Sequence, residues 1–211
     1  MLPAISLVSF TEFLFSDYSL IFPLTLFLCL YFTEDFHTGT YSIALSTGTS
    51  RVHLFFGKLL ASWIGVLFFL FVCFGVAYLF ILFMCACLVY IDFWFSALGA
   101  FFLLQCLCFL GYTAFLNLVS YLLRHRIIVT ITAFFLLGVL YLYLTKISTA
   151  LDMDYSLYKY WVVGLSHSLQ INTFGENLMP ILITLVVYLF LPTAVSFSLF
   201  QRLDLRGLER R

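Results

Sequence analysis

The chain has 211 residues, of which 64% are hydrophobic and 9% are charged, and its ten basic and ten acidic residues cancel. A soluble domain is nearer half apolar and a quarter charged, because its surface must be covered by polar groups. The composition therefore excludes a soluble globule and indicates one integral membrane domain over residues 1–211, in contact with the lipid membrane. A net charge of zero predicts no nucleic-acid partner.

Continuous apolar runs divide the chain into candidate membrane helices, each near the 20 or so residues needed to cross the hydrocarbon core. Because the runs do not alternate with polar residues, they exclude a β-barrel. We expect an all-α polytopic bundle of five to six transmembrane helices. Residues 1–15 are apolar but short, which predicts a re-entrant or interfacial segment. The five runs cover roughly residues 17–32, 59–82, 94–120, 127–145 and 179–200.

A polar segment, residues 33–58, follows the first run. Thr33 can cap a helix start, with two acidic residues in the favourable first turn. Gly39 then breaks the chain and Gly48 ends a second, short helix. Either of the two hydroxyl residues after Gly48 can cap the helix that follows.

The short helix in this segment is predicted to be amphipathic. Tyr41, Ala44 and Leu45 fall on one side by the three-and-four spacing. Arg51 and Lys58 are placed where anionic lipid headgroups would lie. From these features alone the segment is either a surface helix with a function or a connector with interfacial anchors.

The distribution of basic residues predicts the orientation of the chain. Residues 33–58, 123–126 and 201–211 hold eight of the ten basic residues and are therefore expected on the cytoplasmic side, which includes the C-terminus. Residues 146–178 are expected outside, as a partly helical or re-entrant cap or as a loop anchored by its aromatic residues. The eight basic residues are Arg51, Lys58, Arg124, Arg126, Arg202, Arg206, Arg210 and Arg211.

Few polar side chains occur inside the apolar runs, and most of those in the third run lie between residues 105 and 117. Such groups commonly form hydrogen bonds between helices. The alternative is that they line a substrate path, for which the candidates are Gln105, Tyr112 and Asn117. No ionisable residue lies clearly at mid-membrane, which argues against a proton or sodium relay.

Motifs for catalysis and metal binding are missing from the sequence. There is no Gly-rich Lys loop for a nucleotide phosphate and no zinc-protease or serine-hydrolase motif, so we expect neither an enzyme nor a bound cofactor. The four histidines are scattered and predict no metal site. The six cysteines lie in or at the edge of apolar runs and are expected to be reduced packing residues.

The polar segment and the last run carry a series of short motifs in a fixed order. They are Glu34-Asp35-Phe36, Gly39-Thr40, Leu45-Ser46, Ser50-Arg51 and Gly57-Lys58-Leu59-Leu60, followed at the other end of the chain by Phe200-Gln201-Arg202-Leu203-Asp204. In their order and spacing these motifs resemble the segment after the second span, and the ending, of type 2 ATP-binding-cassette (ABC) exporter permeases. The motifs cover about 35 residues, and the pattern of spans covers the rest.

The resemblance implies that residues 33–58 form a coupling segment, whose short coupling helix docks on a separate cytoplasmic ABC ATPase subunit. ATP and Mg would be bound by that partner. A single transmembrane permease domain would then pair with a second permease, identical or different, in the cell membrane. The implied coupling residues are Glu34, Asp35, Phe36, Gly39, Thr40, Leu45, Ser46, Arg51 and Lys58.

The implied function is the outward movement of a hydrophobic or amphipathic cargo, such as a peptide, an antibiotic or a lipid-like molecule. The chain departs from the family pattern at its start, because relatives usually have six spans with an amphipathic helix before the first. Either the start is truncated or misassigned, or residues 1–15 replace these two elements. One alternative is a membrane scaffold or assembly subunit without transport activity. Another is a small membrane enzyme acting on lipid, which would need a polar catalytic cluster that the sequence does not provide.

Overall fold

The computed structural model describes residues 20–84, 95–151, 160–169 and 178–202. All regular structure in these ranges is helical, as the apolar runs predicted, and the described parts fit a helical membrane bundle. The helices are α1 (Ile21–Thr38), α2 (Thr40–Ser46), α3 (Arg51–Met84), α4 (Phe95–Leu123), α5 (Arg126–Ala150), α6 (Val162–Ser168) and α7 (Leu178–Arg202).

Four of the described helices are long and apolar enough to cross a membrane: α3, α4, α5 and α7. The first predicted run begins at residue 17, outside the described residues, and α1 is not among the four because Glu34, Asp35 and His37 make its last turns polar. A count of five to six spans therefore stays a prediction. The four candidate spans are Arg51–Val76, Gly99–Leu123, Arg126–Ala150 and Ile181–Arg202.

Helix α4 lies at the centre of the bundle and packs against α1, α3, α5, α6 and α7. In its most apolar stretch 61% of the residues are buried, compared with 17–22% in the other three spans. Close packing on α7 depends on Gly111, where an added Cβ would lie 3.3 Å from the Cβ of Tyr188. The outer helices keep their outward faces apolar and exposed, as expected for surfaces that contact lipid.

The prediction that a new helix begins at Thr33 is wrong. Helix α1 runs without a break through this position to Thr38. The hydroxyl of Thr33 donates to the carbonyl of Cys29, one turn earlier, at 2.6 Å, which is the bond of a residue inside a helix and not of a cap. The two acidic residues that follow therefore lie at the end of α1, where the helix dipole does not favour them.

The two predicted glycine breaks are confirmed. Gly39 (φ 68°) and Gly48 (φ 90°) both adopt left-handed backbone conformations, which cost glycine least, and they bracket α2. The next helix is capped by Ser50, since the backbone N–H of His53 donates to its hydroxyl at 3.3 Å. Two sharp turns therefore set α2 apart from both neighbouring helices.

The predicted outer segment, residues 146–178, contains a short helix that lies inside the bundle. Helix α6 packs against α4 and α7. Just before it, Trp161 makes an edge-to-face contact with Phe115 of α4, with ring centroids 5.0 Å apart. Phe115 is 20 residues from Phe95 at the start of α4 and eight residues, roughly 12 Å along the axis, from Leu123 at its end. Helix α6 therefore reaches into the bundle and is not confined to the end at which α4 begins.

Candidate functional site

One end of the bundle gathers the polar segment and the ends of three long helices. The Tyr41 and Tyr121 hydroxyls lie 3.1 Å apart, which joins α2 to the end of α4. Arg51 donates to the carbonyl of Gln201 at 2.8 Å, which joins the start of α3 to the end of α7. We call this the polar end of the molecule, and it is where the predicted coupling residues lie.

A buried cluster, mostly aromatic, holds the inner face of α2 at the polar end. The Tyr41 ring lies 5.2 Å from Phe200 and 5.1 Å from Phe36, measured between centroids. Burial raises the pKa of the Tyr41 phenol, which therefore stays protonated and able to share a hydrogen bond with Tyr121. The buried members of this polar-end cluster are Tyr41, Phe55, Leu59, Tyr121 and Phe200.

From its position in the sequence we expected Lys58 to lie at the lipid headgroups. Its side chain instead points into the polar end. Its side chain is only 8% exposed and its ammonium forms an ion pair with Asp35, 2.5 Å from Oδ2. The same ammonium lies 5.1 Å and 5.2 Å from the ring centroids of Tyr31 and Tyr41. The acid and the ring faces together offset the cost of burying a cation, so the pair fastens α1 to α3.

Arg51 and Phe36 are also used inside the protein. Arg51 donates to the carbonyls of Phe200 (3.4 Å) and Gln201 (2.8 Å), which lie in the last turn of α7 as the structure describes it. Phe36 is half-buried and meets the ring of Tyr121 edge to face at 5.5 Å. These two predicted coupling residues therefore position the helix ends.

Other predicted residues lie at the surface of the polar end. Glu34 is about half exposed, and its Oε2 lies 3.8 Å from a guanidinium nitrogen of Arg126. The Thr38 and Thr40 hydroxyls are 2.6 Å apart and exposed on either side of Gly39. The turn between α1 and α2 is thus closed by a local hydrogen bond and remains accessible.

The outward face of α2 has an apolar residue at its centre that our sequence reasoning missed. Ile43 is 61% exposed, whereas Leu45 is half-buried on the inward face. Ser46 and Thr47 are exposed, but their hydroxyls donate to the carbonyls of Ile43 (2.7 Å) and Ala44 (2.8 Å). The spacing that put Tyr41 and Leu45 inward also implies that Ile43 points outward, so the signal was present in the sequence.

The predicted substrate-path residues lie in the interior of the bundle. Gln105 donates to the carbonyl of Ser166 (2.9 Å) and accepts from its hydroxyl (2.6 Å), which links α4 to α6. The Tyr112 and Thr25 hydroxyls are 2.8 Å apart and link α4 to α1. Asn117 is also buried. Hydrogen bonding between helices thus accounts for Gln105 and Tyr112, and a role in a substrate path stays a prediction for all three.

The described residues contain no group of three or more side chains able to hold a metal ion. The four cysteines among them are free thiols within the packed helices, in keeping with a packing role. Cys85 and Cys87 lie outside the described residues.

Searches of family models, of curated proteins and of solved structures find no match to this chain. The resemblance to exporter permeases consequently rests on the motifs in the sequence. The geometry of the polar end, with one face of α2 anchored and the other exposed, is an observation independent of that resemblance.

Proposed function

We propose that the chain is the membrane-spanning permease subunit of an ATP-driven exporter, with α2 as its coupling helix. A separate cytoplasmic ATPase subunit would bind the outward face of α2. A second permease, of the same or a different kind, would complete the path. The cargo would be hydrophobic or amphipathic, in keeping with the Phe-rich composition.

The observation that carries this proposal is the contrast between the two faces of α2. A helix of seven residues has little stability alone, yet here it is held by a buried tyrosine and bracketed by two turns. Its other face exposes Ile43, and an exposed aliphatic residue among hydroxyls suits insertion into an apolar groove of a soluble partner. A connector between two spans needs neither feature.

The contacts of α2 also provide a route for transmitting movement. Tyr41 touches Phe36 at the end of α1, Tyr121 at the end of α4 and Phe200 at the end of α7. The Lys58–Asp35 pair ties α1 to α3 beside it. A force applied to α2 would therefore act on four helices at once, because they share one close-packed cluster.

The scaffold alternative has one observation in its favour. Two polar residues of α4, Tyr112 and Gln105, are hydrogen-bonded to α1 and α6 within the same chain, and this is the arrangement expected of a structural membrane subunit. The two functions differ in whether a soluble ATPase binds the polar end. That binding is therefore the point to test.

The test is a pull-down of the tagged chain from native membranes in mild detergent, with mass spectrometry of the proteins retained. We expect a stoichiometric ATPase with the unchanged chain. Ile43→Asp should lower its retention about 30-fold, the effect of losing a roughly 2 kcal/mol contact at an interface centre. The matched control is Ile147→Asp, which changes an exposed isoleucine near the end of α5 that is farther from the polar end.

Equal retention by Ile43→Asp and Ile147→Asp would refute docking through α2. No ATPase with the unchanged chain would favour the scaffold. Glu34→Lys with Asp35→Lys is a poorer probe of docking, since a lysine at position 35 would lie beside the buried ammonium of Lys58. Loss of binding in that variant would not separate docking from folding.

A further inference from the structure

The corner between α4 and α5 exposes cationic and aliphatic side chains side by side. Residues 122–128 are all exposed, between the buried Tyr121 and Val129. At the centre of this corner are Arg124, His125 and Arg126. On either side are four aliphatic residues, Leu122 (58% exposed), Leu123 (37%), Ile127 (62%) and Ile128 (48%).

The corner is a fixed feature of the fold. Arg124 turns the chain with a left-handed backbone (φ 56°), and its backbone N–H donates to the carbonyl of Ser120 at 2.9 Å. Its Nε also donates to the carbonyl of Tyr121 at 3.3 Å. Tyr121 belongs to the polar-end cluster, so the guanidinium of Arg124 is held next to a rigid part of the protein.

The corner carries a net positive charge. In the part of the chain that the structure describes, one carboxylate pairs with it: Glu34 lies 3.8 Å from Arg126, and both side chains are about half exposed. Two guanidinium groups and one carboxylate leave a charge of +1 even with His125 neutral. An exposed pair of this kind is weak, so Arg126 can exchange this acid for another anion.

The aliphatic flanks indicate what kind of anion fits. The span in α4 ends at Leu123 and the span in α5 begins at Arg126, so both helices place the corner at the membrane boundary. At that boundary the leucines and isoleucines would contact acyl chains, and the arginines would lie at the level of the phosphates. A soluble phosphate would use the cations and leave the aliphatic flanks without a role.

We propose that this corner binds the headgroup of an anionic phospholipid. Arg124 and Arg126 would contact the phosphate, and the flanking aliphatic residues would contact the first part of its acyl chains. With the orientation proposed above, the lipid comes from the cytoplasmic leaflet. The site is separate from Ile43 and does not require an ATPase. The lipid-binding proposal can therefore be tested independently of the exporter proposal.

The test uses the full chain in detergent micelles with equal amounts of phosphatidylglycerol and phosphatidylcholine, and counts bound lipid by native mass spectrometry. We expect phosphatidylglycerol to be retained in preference. Arg124→Gln and Arg126→Gln should each reduce its retention about fivefold. The matched control is Lys146→Gln, the same loss of charge at the far end of α5.

Arg124→Lys and Arg126→Lys should keep most of the binding, because each preserves the charge, and they check that the glutamine variants act through charge and not through misfolding. Equal retention of the two lipids would overturn the proposal. So would an equal loss in Lys146→Gln. Displacement of phosphatidylglycerol by millimolar inorganic phosphate would assign the corner to a free anion and would likewise overturn it.

Discussion

The polar end and the interior around α4 both contain buried polar groups, but they use them differently. In the interior, Gln105 and Tyr112 each meet a partner on another helix and lie away from the surface. At the polar end, the partly buried Lys58–Asp35 pair and the buried Tyr41 hydroxyl lie beside a helix whose other side is exposed. The first region closes the bundle, whereas the second supports a surface.

This difference suggests a division of labour within the chain. A polar group in lipid must be satisfied inside the protein, and the interior of α4 meets that need with hydrogen bonds alone. The polar end adds an ion pair between α1 and α3 and close-packed rings that hold the inward face of α2. Four substitutions test whether the two regions differ as described, and each is measured by thermal unfolding in one detergent.

Phe200→Ala should have the largest effect. Phe200 is fully buried between α2, α3 and α4, so its removal leaves a cavity and should lower the free energy of unfolding by about 3–4 kcal/mol. Phe68→Ala, at a ring 69% exposed on α3, should change it little, because detergent and lipid are as apolar as the lost ring. Similar losses in both variants would contradict the view of Phe200 as the centre of the polar end.

Asp35→Ala should rank second. It leaves the Lys58 ammonium without its acid, and we expect a loss of about 2 kcal/mol, less than for a fully buried pair because Asp35 is 28% exposed. Glu34→Ala removes the adjacent acid, which is exposed, and should cost less than about 0.5 kcal/mol. If the two neighbours gave the same shift, the ion pair would not be a structural anchor.

Gln105→Leu should have the third-largest effect on the free energy of unfolding, and it tests the interior around α4. It removes both hydrogen bonds to Ser166 and should lower the free energy of unfolding by about 1 kcal/mol. The double variant with Ser166→Ala should recover part of that loss, since no hydroxyl is then left without an acceptor. Purely additive losses would show that the two side chains do not act as a pair.

Tyr41→Phe should have the smallest effect. The ring contacts remain and only the hydrogen bond to Tyr121 is lost, for a cost of roughly 0.5–1 kcal/mol. Tyr143→Phe, at a tyrosine 63% exposed on α5, serves as the control and should change nothing measurable. A loss with Tyr41→Phe as large as that with Phe200→Ala would mean that the hydrogen bond, and not the rings, holds α2.

Local features of the polar segment could be predicted, and its long-range contacts could not. Gly39 and Gly48 marked the ends of α2, because glycine adopts the left-handed backbone found there at the lowest cost. Thr33 was misread as a cap because a threonine hydroxyl also bonds within a helix, to the carbonyl four residues back. Only the partner of that hydroxyl distinguishes the two, and the sequence does not contain that information.

The sequence by itself determined that the chain is helical and built for a membrane, and which side of α2 faces inward. These properties depend on composition and on the helical period, which are local. The tertiary structure alone decided that Lys58 turns inward to Asp35, that α4 is the central helix, and that Arg51 meets the end of α7. Residues up to 150 positions apart make these contacts, and their meeting depends on how the helices pack rather than on any spacing along the chain.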